Sequence, residues 1–198
     1  MISIRNDDCL LFSAQWPDPF GRFRQQHEWV ESAPNIVHVP TILVTEIQSY
    51  PQCIEYIKVK IPEGKMIPQI HGLTHIDYGK LPKGEVKEHL KICKDKMFEW
   101  FGQVPTKWYT PWGSAQSFLF EAAEEENLKL IDCSNILPLE GRYGVVQRLK
   151  DGEPISNFDN KELFLHWWTK GARLARVCAV ARYGSWDAAV REKPELFR

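Results

Sequence analysis

One stretch of the sequence contains both an apolar run and a pair of histidines: Met66-Ile67-Pro68-Gln69-Ile70-His71-Gly72-Leu73-Thr74-His75. The run from Met66 to Ile70 predicts a short buried strand. His71 and His75 follow it, four residues apart, so a turn after the strand places both imidazoles on one face, within reach of one cation. The HExxH motif of zinc proteases is excluded, because Gly72 stands where that motif requires Glu.

Short β-type runs and helical patterns alternate on both sides of this stretch. Strands are predicted over Ile2 to Arg5, Ile36 to Pro40, Met66 to Ile70, Lys107 to Thr110, Leu128 to Ile131, Arg142 to Arg148 and Leu163 to Trp167. Helices are predicted over Phe20 to Glu31, Glu46 to Val59 with Pro51 starting or kinking it, Lys83 to Phe101, Ser114 to Glu126 with Ser114 as N-cap, and Ala172 to Val190 as two pieces broken at residues 183–185.

This alternation predicts an α/β fold with a mostly parallel sheet and helices outside it. An open doubly wound sheet and an incomplete, flattened (β/α) barrel both fit the pattern. In either arrangement, ligands bind at the carboxyl ends of the strands. With 198 residues and no linker-like segment, the chain is predicted to form one domain, residues 1–198.

Polar side chains stand at five of the predicted strand ends. They are Asn6-Asp7-Asp8, the histidine pair, the turn Tyr109-Thr110-Pro111-Trp112-Gly113, Asp132 and His166. A carboxylate from Asp7 or Asp8 would complete a two-His-one-Asp metal site, which leaves coordination positions for water and substrate. In a turn the two aspartates splay, so that one binds the metal and the other acts as general base. His166 is then the available acid, and Asp132 could orient it.

These segments resemble, in order and spacing, the five motifs of the NodB-type polysaccharide deacetylases of carbohydrate esterase family 4. The matching segments are Asn6-Asp7-Asp8, His71-Gly72-Leu73-Thr74-His75, Tyr109-Thr110-Pro111-Trp112-Gly113, Asp132-Cys133-Ser134-Asn135 and Leu165-His166. The resemblance implies a single-domain irregular (β/α) barrel with fewer than eight complete strands. It also implies Asp7 as base, Asp8, His71 and His75 as metal ligands, His166 as acid, and the backbone N–H of Trp112 as oxyanion donor.

The chain departs from the family pattern at several positions. Tyr109 stands where the family has an Arg that pairs with the base carboxylate, and Arg5 or Lys107 would have to supply that charge. Gly72 replaces a Ser or Thr, and Asn6 and Cys9 flank the aspartate pair in place of Phe and Gly. The resemblance is therefore to a divergent branch, and its usual substrate is in question more than the metal site.

The bulk composition limits partners and compartment. The net charge of -1 gives no reason to expect nucleic acid or an acidic membrane surface. Five scattered Cys residues form no C-x-x-C pair, which favours a reducing compartment over a disulfide framework. The sequence shows neither a signal peptide pattern nor an apolar run long enough to span a membrane, so a cytoplasmic protein is expected.

The predicted function is hydrolysis of an N-acyl group, most simply acetyl, from an amino sugar or related glycan intermediate. One divalent transition metal ion, with zinc preferred and cobalt or nickel as alternatives, is the expected cofactor. A cytoplasmic intermediate of surface-polysaccharide or glycolipid synthesis fits the expected compartment. Three alternatives stay open: a catalytically silent binding or scaffold protein, a hydrolase of a non-sugar amide, and a non-haem iron enzyme, which uses the same ligand types.

Overall fold

The computed structural model describes residues 1–9, 18–131, 137–139, 144–166 and 171–198, and for residues 8, 9, 165, 166 and 171 only the backbone. Within these ranges the strands are β1 (Ile2–Cys9), β2 (Ile36–Leu43), β3 (Gln69–Gly72), β4 (Lys107–Trp108), β5 (Lys129–Leu130), β6 (Leu137–Pro138) and β7 (Glu162–His166). The helices are α1 (Pro19–Ser32), α2 (Val44–Ile47), α3 (Pro51–Lys60), α4 (Lys83–Phe101), α5 (Ser117–Glu125), α6 (Val145–Lys150), α7 (Gly171–Tyr183) and α8 (Trp186–Glu192).

The strands form one sheet in the order β5-β4-β3-β2-β1-β7-β6. Pairing is parallel between β2 and β3, β3 and β4, β4 and β5, and β6 and β7. In the register of these strands, Ile42 pairs with Ile70, and Ile70 pairs with Trp108. The prediction of an α/β fold with a parallel sheet of fewer than eight strands is confirmed, because the described residues contain seven.

The chain divides into two compact units, here counted over their described residues. The first unit comprises the described residues 1–6, 18–39, 137–139, 144–166 and 171–198, and the second comprises the described residues 7–9 and 40–131. The first unit has an apolar core that includes Ile4, Val30, Phe158 and Val177. In the second, α4 buries one side at helical spacing, with Val86, Leu90, Cys93, Met97 and Phe101 inward.

Most of the predicted elements are present, and α4 has the predicted bounds, Lys83–Phe101. Pro51 occupies the first position of α3, and the preceding helix α2 ends at Ile47. The predicted break at Pro51 is therefore confirmed. The predicted break at residues 183–185 is also present, between α7 and α8.

Three predictions about elements are wrong. Residues 145–150 form helix α6 and not a strand, because Val145 and Leu149, four residues apart, are both buried in the first unit's core. Helix α5 begins at Ser117, and Ser114 hydrogen-bonds elsewhere instead of capping it. Strand β1 continues through Asp7 and Asp8 to Cys9, beyond its predicted end at Arg5.

Candidate active site

His71 lies in the buried strand β3, and its imidazole is held in one orientation. The side chain is almost fully buried, and its Nδ1 forms a hydrogen bond with the carbonyl oxygen of Tyr109. A carbonyl only accepts, so Nδ1 must carry the proton, and in the neutral ring Nε2 then carries the lone pair. A backbone carbonyl on one ring nitrogen is the usual partner of a metal-binding histidine, because it fixes the tautomer and the ring plane.

His75 lies beside His71, as the spacing predicted. The two ring centroids are 5.6 Å apart with an interplanar angle of 50°. His75 also contacts the ring of Trp112, with centroids 5.1 Å apart in an edge-on arrangement. The structure therefore brings together three of the predicted site residues, His71, His75 and Trp112, within the second unit.

The turn that carries Trp112 has an unusual backbone. Trp112 has φ 62° and ψ 5°, the left-handed region that costs a non-glycine residue on the order of 1–3 kcal/mol. The turn is closed by Thr110, whose hydroxyl donates to the carbonyl of Ser114 at 2.7 Å. Such strained residues cluster at ligand-binding sites. Trp112 is also 75% exposed and lies beside His75.

A hydrogen bond ties this turn to the segment that follows His75. The Ser114 hydroxyl donates to Asp77 Oδ1 at 2.6 Å, and the backbone N–H of Gly79 donates to the same oxygen at 3.1 Å. The bond from Ser114 is the main reason that the pKa of Asp77 lies below its usual value. A groove of about 660 Å³ opens between the two segments, lined by Ile76, Asp77, Lys80, Leu81 and Trp112.

Asp7 is buried in β1 and belongs to the same unit as the histidine pair. Its Oδ1 accepts a hydrogen bond of 2.9 Å from the hydroxyl of Thr41 in β2. Sequence reasoning missed Thr41, although a hydroxyl within the apolar run of a buried strand is a usable signal. Tyr109, in place of the family's Arg, is fully buried.

Arg5 and Lys107 are the predicted substitutes for that Arg. The Arg5 side chain is almost fully buried in the first unit, with its guanidinium 5.0 Å from the centre of the Phe164 ring. Lys107 begins β4, and its backbone N–H donates to Gln69 Oε1 at 2.8 Å. A compensating charge from either residue stays a prediction.

Several predicted site residues lie outside what the structure describes. Asp132 is one, and the side chains of Asp8 and His166, the last residue of β7, are others. Among the residues described, no group of three or more His, Cys, Asp or Glu side chains could hold a metal ion. The side chain of Asp8 lies outside the described residues, so the predicted triad of Asp8, His71 and His75 stays a prediction, as do the roles of Asp7, Asp132 and His166.

No protein-family model and no curated protein sequence matches the chain. Solved structures do match. A family 4 carbohydrate esterase from Streptomyces lividans, in complex with acetate, has a TM-score of 0.62 at 11% identity, over 97% of this chain and 88% of its own. The peptidoglycan deacetylase PdaC from Bacillus subtilis has a TM-score of 0.62 at 14% identity, over 98% and 94%.

A further match is a family 4 pseudoenzyme from Bacillus anthracis, with a TM-score of 0.59 at 12% identity, over 98% of this chain and 59% of its own. The class defined by these matches is the NodB-like α/β fold of the family 4 carbohydrate esterases, here with seven strands in the described ranges. The resemblance inferred from the motifs is confirmed at the level of the fold, and the low identities make this chain divergent. No helix in the described ranges is long and apolar enough to cross a membrane.

Proposed function

We propose that this protein is a metal-dependent hydrolase that removes an N-acyl group, most simply acetyl, from an amino sugar or a related glycan intermediate. The observation that carries the proposal is the histidine pair at the carboxyl end of β3. His71 and His75 lie side by side, and the carbonyl of Tyr109 fixes the tautomer of His71. The fold is shared with solved deacetylase structures, which supports a metal-binding role for this pair.

The donor set fits a divalent transition metal ion. Two imidazoles and one carboxylate, from His71, His75 and Asp8, would hold it, and zinc, cobalt and nickel all accept these ligands. When bound, the ion would acidify a water molecule and polarise the acyl carbonyl. The buried carbonyl partner of His71 is the kind of contact that orients a metal ligand, which favours this use of the pair over a merely structural one.

The remaining residues would move protons and position the substrate. Asp7 would take a proton from the attacking water, which forms the new C–O bond, and Thr41 would hold the carboxylate in place. The backbone N–H of Trp112 would stabilise the negative oxygen that develops on the acyl group. His166, oriented by Asp132, would give a proton to the leaving nitrogen as the C–N bond breaks, releasing a carboxylate and the free amine.

A specific observation favours a second candidate, a catalytically silent member that binds a glycan without hydrolysing it. The hydroxyl of Thr41, a neutral donor, bonds to Asp7, and the buried Tyr109 stands at the position of the family's Arg. A neutral donor supports an anionic base less than a guanidinium does. One of the structural neighbours is itself a pseudoenzyme.

Metal analysis tests the first part of the proposal. The parent protein, purified without chelators, should contain about one equivalent of transition metal, and the double variant His71→Ala/His75→Ala should contain almost none. His38→Gln, which removes an imidazole from the first unit, is the control and should keep the metal. Equal metal content in the parent and the double variant would exclude the site.

An acyl-release screen tests the second part. Acetylated and formylated amino sugars, free and nucleotide-linked, are incubated with the protein loaded with zinc, cobalt or nickel, and released carboxylate is measured. Release that disappears in the double variant supports the hydrolase. Sugar binding without any release, in folded and metal-loaded protein, would favour the silent member.

A further inference from the structure

The three residues between the two candidate ligands, Gly72, Leu73 and Thr74, are held at their midpoint from both sides. The backbone N–H of Leu73 donates to the hydroxyl oxygen of Tyr78 at 2.7 Å. The carbonyl of Leu73 accepts from the backbone N–H of Thr45 at 2.9 Å, and the Thr45 hydroxyl lies 2.8 Å from the same oxygen. A loop fixed at its centre constrains the separation of its two ends.

Tyr78 is a rigid support for that loop. Its side chain is fully buried, and its ring packs edge-on against Trp108, with centroids 5.3 Å apart, and against His89, with centroids 5.8 Å apart. Burial raises the pKa of the phenol, so the hydroxyl stays neutral, and backbone hydrogen bonds from Leu73 and Thr74 act on the same oxygen. Because two neighbouring rings already fix the Tyr78 ring, its hydroxyl accepts these hydrogen bonds without a further loss of side-chain entropy.

Gly72 is required because Tyr78 occupies the space next to it. A Cβ atom at position 72 would lie 2.8 Å from the Tyr78 hydroxyl oxygen and 2.9 Å from Cε2 of its ring. Position 72 is also where the family pattern has a Ser or Thr, so a hydroxyl is missing from the motif itself. In this chain a hydroxyl reaches the loop from Tyr78, three residues beyond His75.

We infer that Tyr78 is a positioning residue that sets the arrangement of His71 and His75 by holding Leu73, with Thr45 as the support on the opposite side. The inference rests on the proposed function, since it assigns Tyr78 to the same metal site. Tyr78 takes no part in the chemistry, and it acts on the ligands only through the backbone between them.

The variant Tyr78→Phe removes the hydroxyl and keeps the packing against Trp108 and His89. Two controls accompany it. Tyr183→Phe removes a phenol hydroxyl from the first unit, and Ile57→Val destabilises the second unit at a fully buried position in α3. Cobalt(II) titration of the full chain, followed by visible absorption, gives both the affinity and the ligand-field spectrum.

Tyr78→Phe is expected to bind cobalt about 10- to 100-fold more weakly, the range seen when a group supporting a metal ligand is lost, and to show shifted absorption bands. Both controls should keep the parent spectrum and affinity, even where their melting temperatures fall. A Tyr78→Phe protein with the parent affinity and spectrum would overturn the inference. So would an equal loss of affinity in Ile57→Val, which would assign the effect to general destabilisation.

Amide hydrogen exchange in the metal-free protein separates this inference from the proposed function. The Leu73 amide should exchange at least about 10-fold faster in Tyr78→Phe than in the parent, because its hydrogen-bond acceptor is gone. Unchanged exchange would overturn the clamp whether or not the protein binds metal. If the parent binds no cobalt while the Leu73 amide still exchanges faster in Tyr78→Phe, Tyr78 is only a loop support. Both the metal-positioning role and the proposed function would then be wrong.

Discussion

The stability of this protein should fall between neutral pH and pH 5 because of one buried histidine, His38 in β2. The ring is fully buried, 5.4 Å from the ring of Phe23 and 5.5 Å from that of His27. Its Nδ1 lies 3.4 Å from Nδ1 of His27, and its Nε2 lies 3.4 Å from the side-chain nitrogen of Asn6. Burial first, and the electrostatic interaction with His27 second, hold the pKa of His38 well below 6.5.

The sign and size of the effect follow from linkage. The folded protein keeps His38 neutral while the unfolded chain takes up a proton as the pH falls through 6.5, so the unfolded state binds more protons and is favoured. The free energy of unfolding is unaffected well above pH 6.5 and falls by about 1.4 kcal/mol per pH unit below it. Between pH 7.5 and pH 5.0 the loss reaches at most about 2 kcal/mol, or roughly 4–8 °C in melting temperature for a chain of this length.

Urea unfolding of the parent and of His38→Gln at both pH values measures the effect. The difference in unfolding free energy between pH 7.5 and pH 5.0 should be smaller in the variant, by up to about 2 kcal/mol. This pH window lies above the range in which a carboxylate such as Glu125 affects stability. Lys83 and Lys87 hold the pKa of Glu125 at about 2, so its contribution to stability is lost only as the pH falls below its ordinary pKa of 4.5. An identical pH dependence in parent and variant would refute the reasoning.

Three further outcomes are expected. Asp7→Asn keeps an oxygen for the Thr41 hydroxyl, so turnover should fall about 10²- to 10⁴-fold at unchanged metal content, whereas loss of metal would mean that Asp7 is a ligand. Trp112→Ala, at an exposed position, should raise KM for a sugar substrate about tenfold with little change in kcat or melting temperature, and an unchanged KM would exclude Trp112 from binding. Gly72→Ala should lower stability by about 1–3 kcal/mol in denaturant unfolding, because its Cβ collides with Tyr78, whereas Gly84→Ala, which has open space around its Cβ, should not.

Local pattern was enough to predict the main elements of this chain. Helix α4 shows both its bounds and its buried face in the spacing of Val86, Leu90 and Met97, because a helix repeats within a few residues. The alternation of strands and helices in turn implied a parallel sheet, and parallel strands place their carboxyl ends at one edge. The proximity of His71 and His75 follows from this logic and from their spacing.

The errors occurred where distant contacts outweigh local preference. Val145 and Val146 favour a strand by their branched side chains, but burial of Val145 and Leu149 in the first unit's core selects a helix. The two-residue strand β6 is too short to show any period of its own and exists only through its pairing with β7. Ser114 has the composition of an N-cap, yet its hydroxyl finds Asp77, 37 residues away in the chain.

The sequence by itself thus determined the fold class, because the alternation of strands and helices depends on residue type and local period. The candidate ligands and proton carriers come from the motif resemblance, and their roles stay predictions. Only the tertiary structure decided which atoms hold those residues in place. The carbonyl of Tyr109 on His71, the hydroxyl of Thr41 on Asp7 and the hydroxyl of Tyr78 on Leu73 each join different segments of the second unit. A hydrogen bond depends on distances of about 3 Å, and only folding brings such atoms that close.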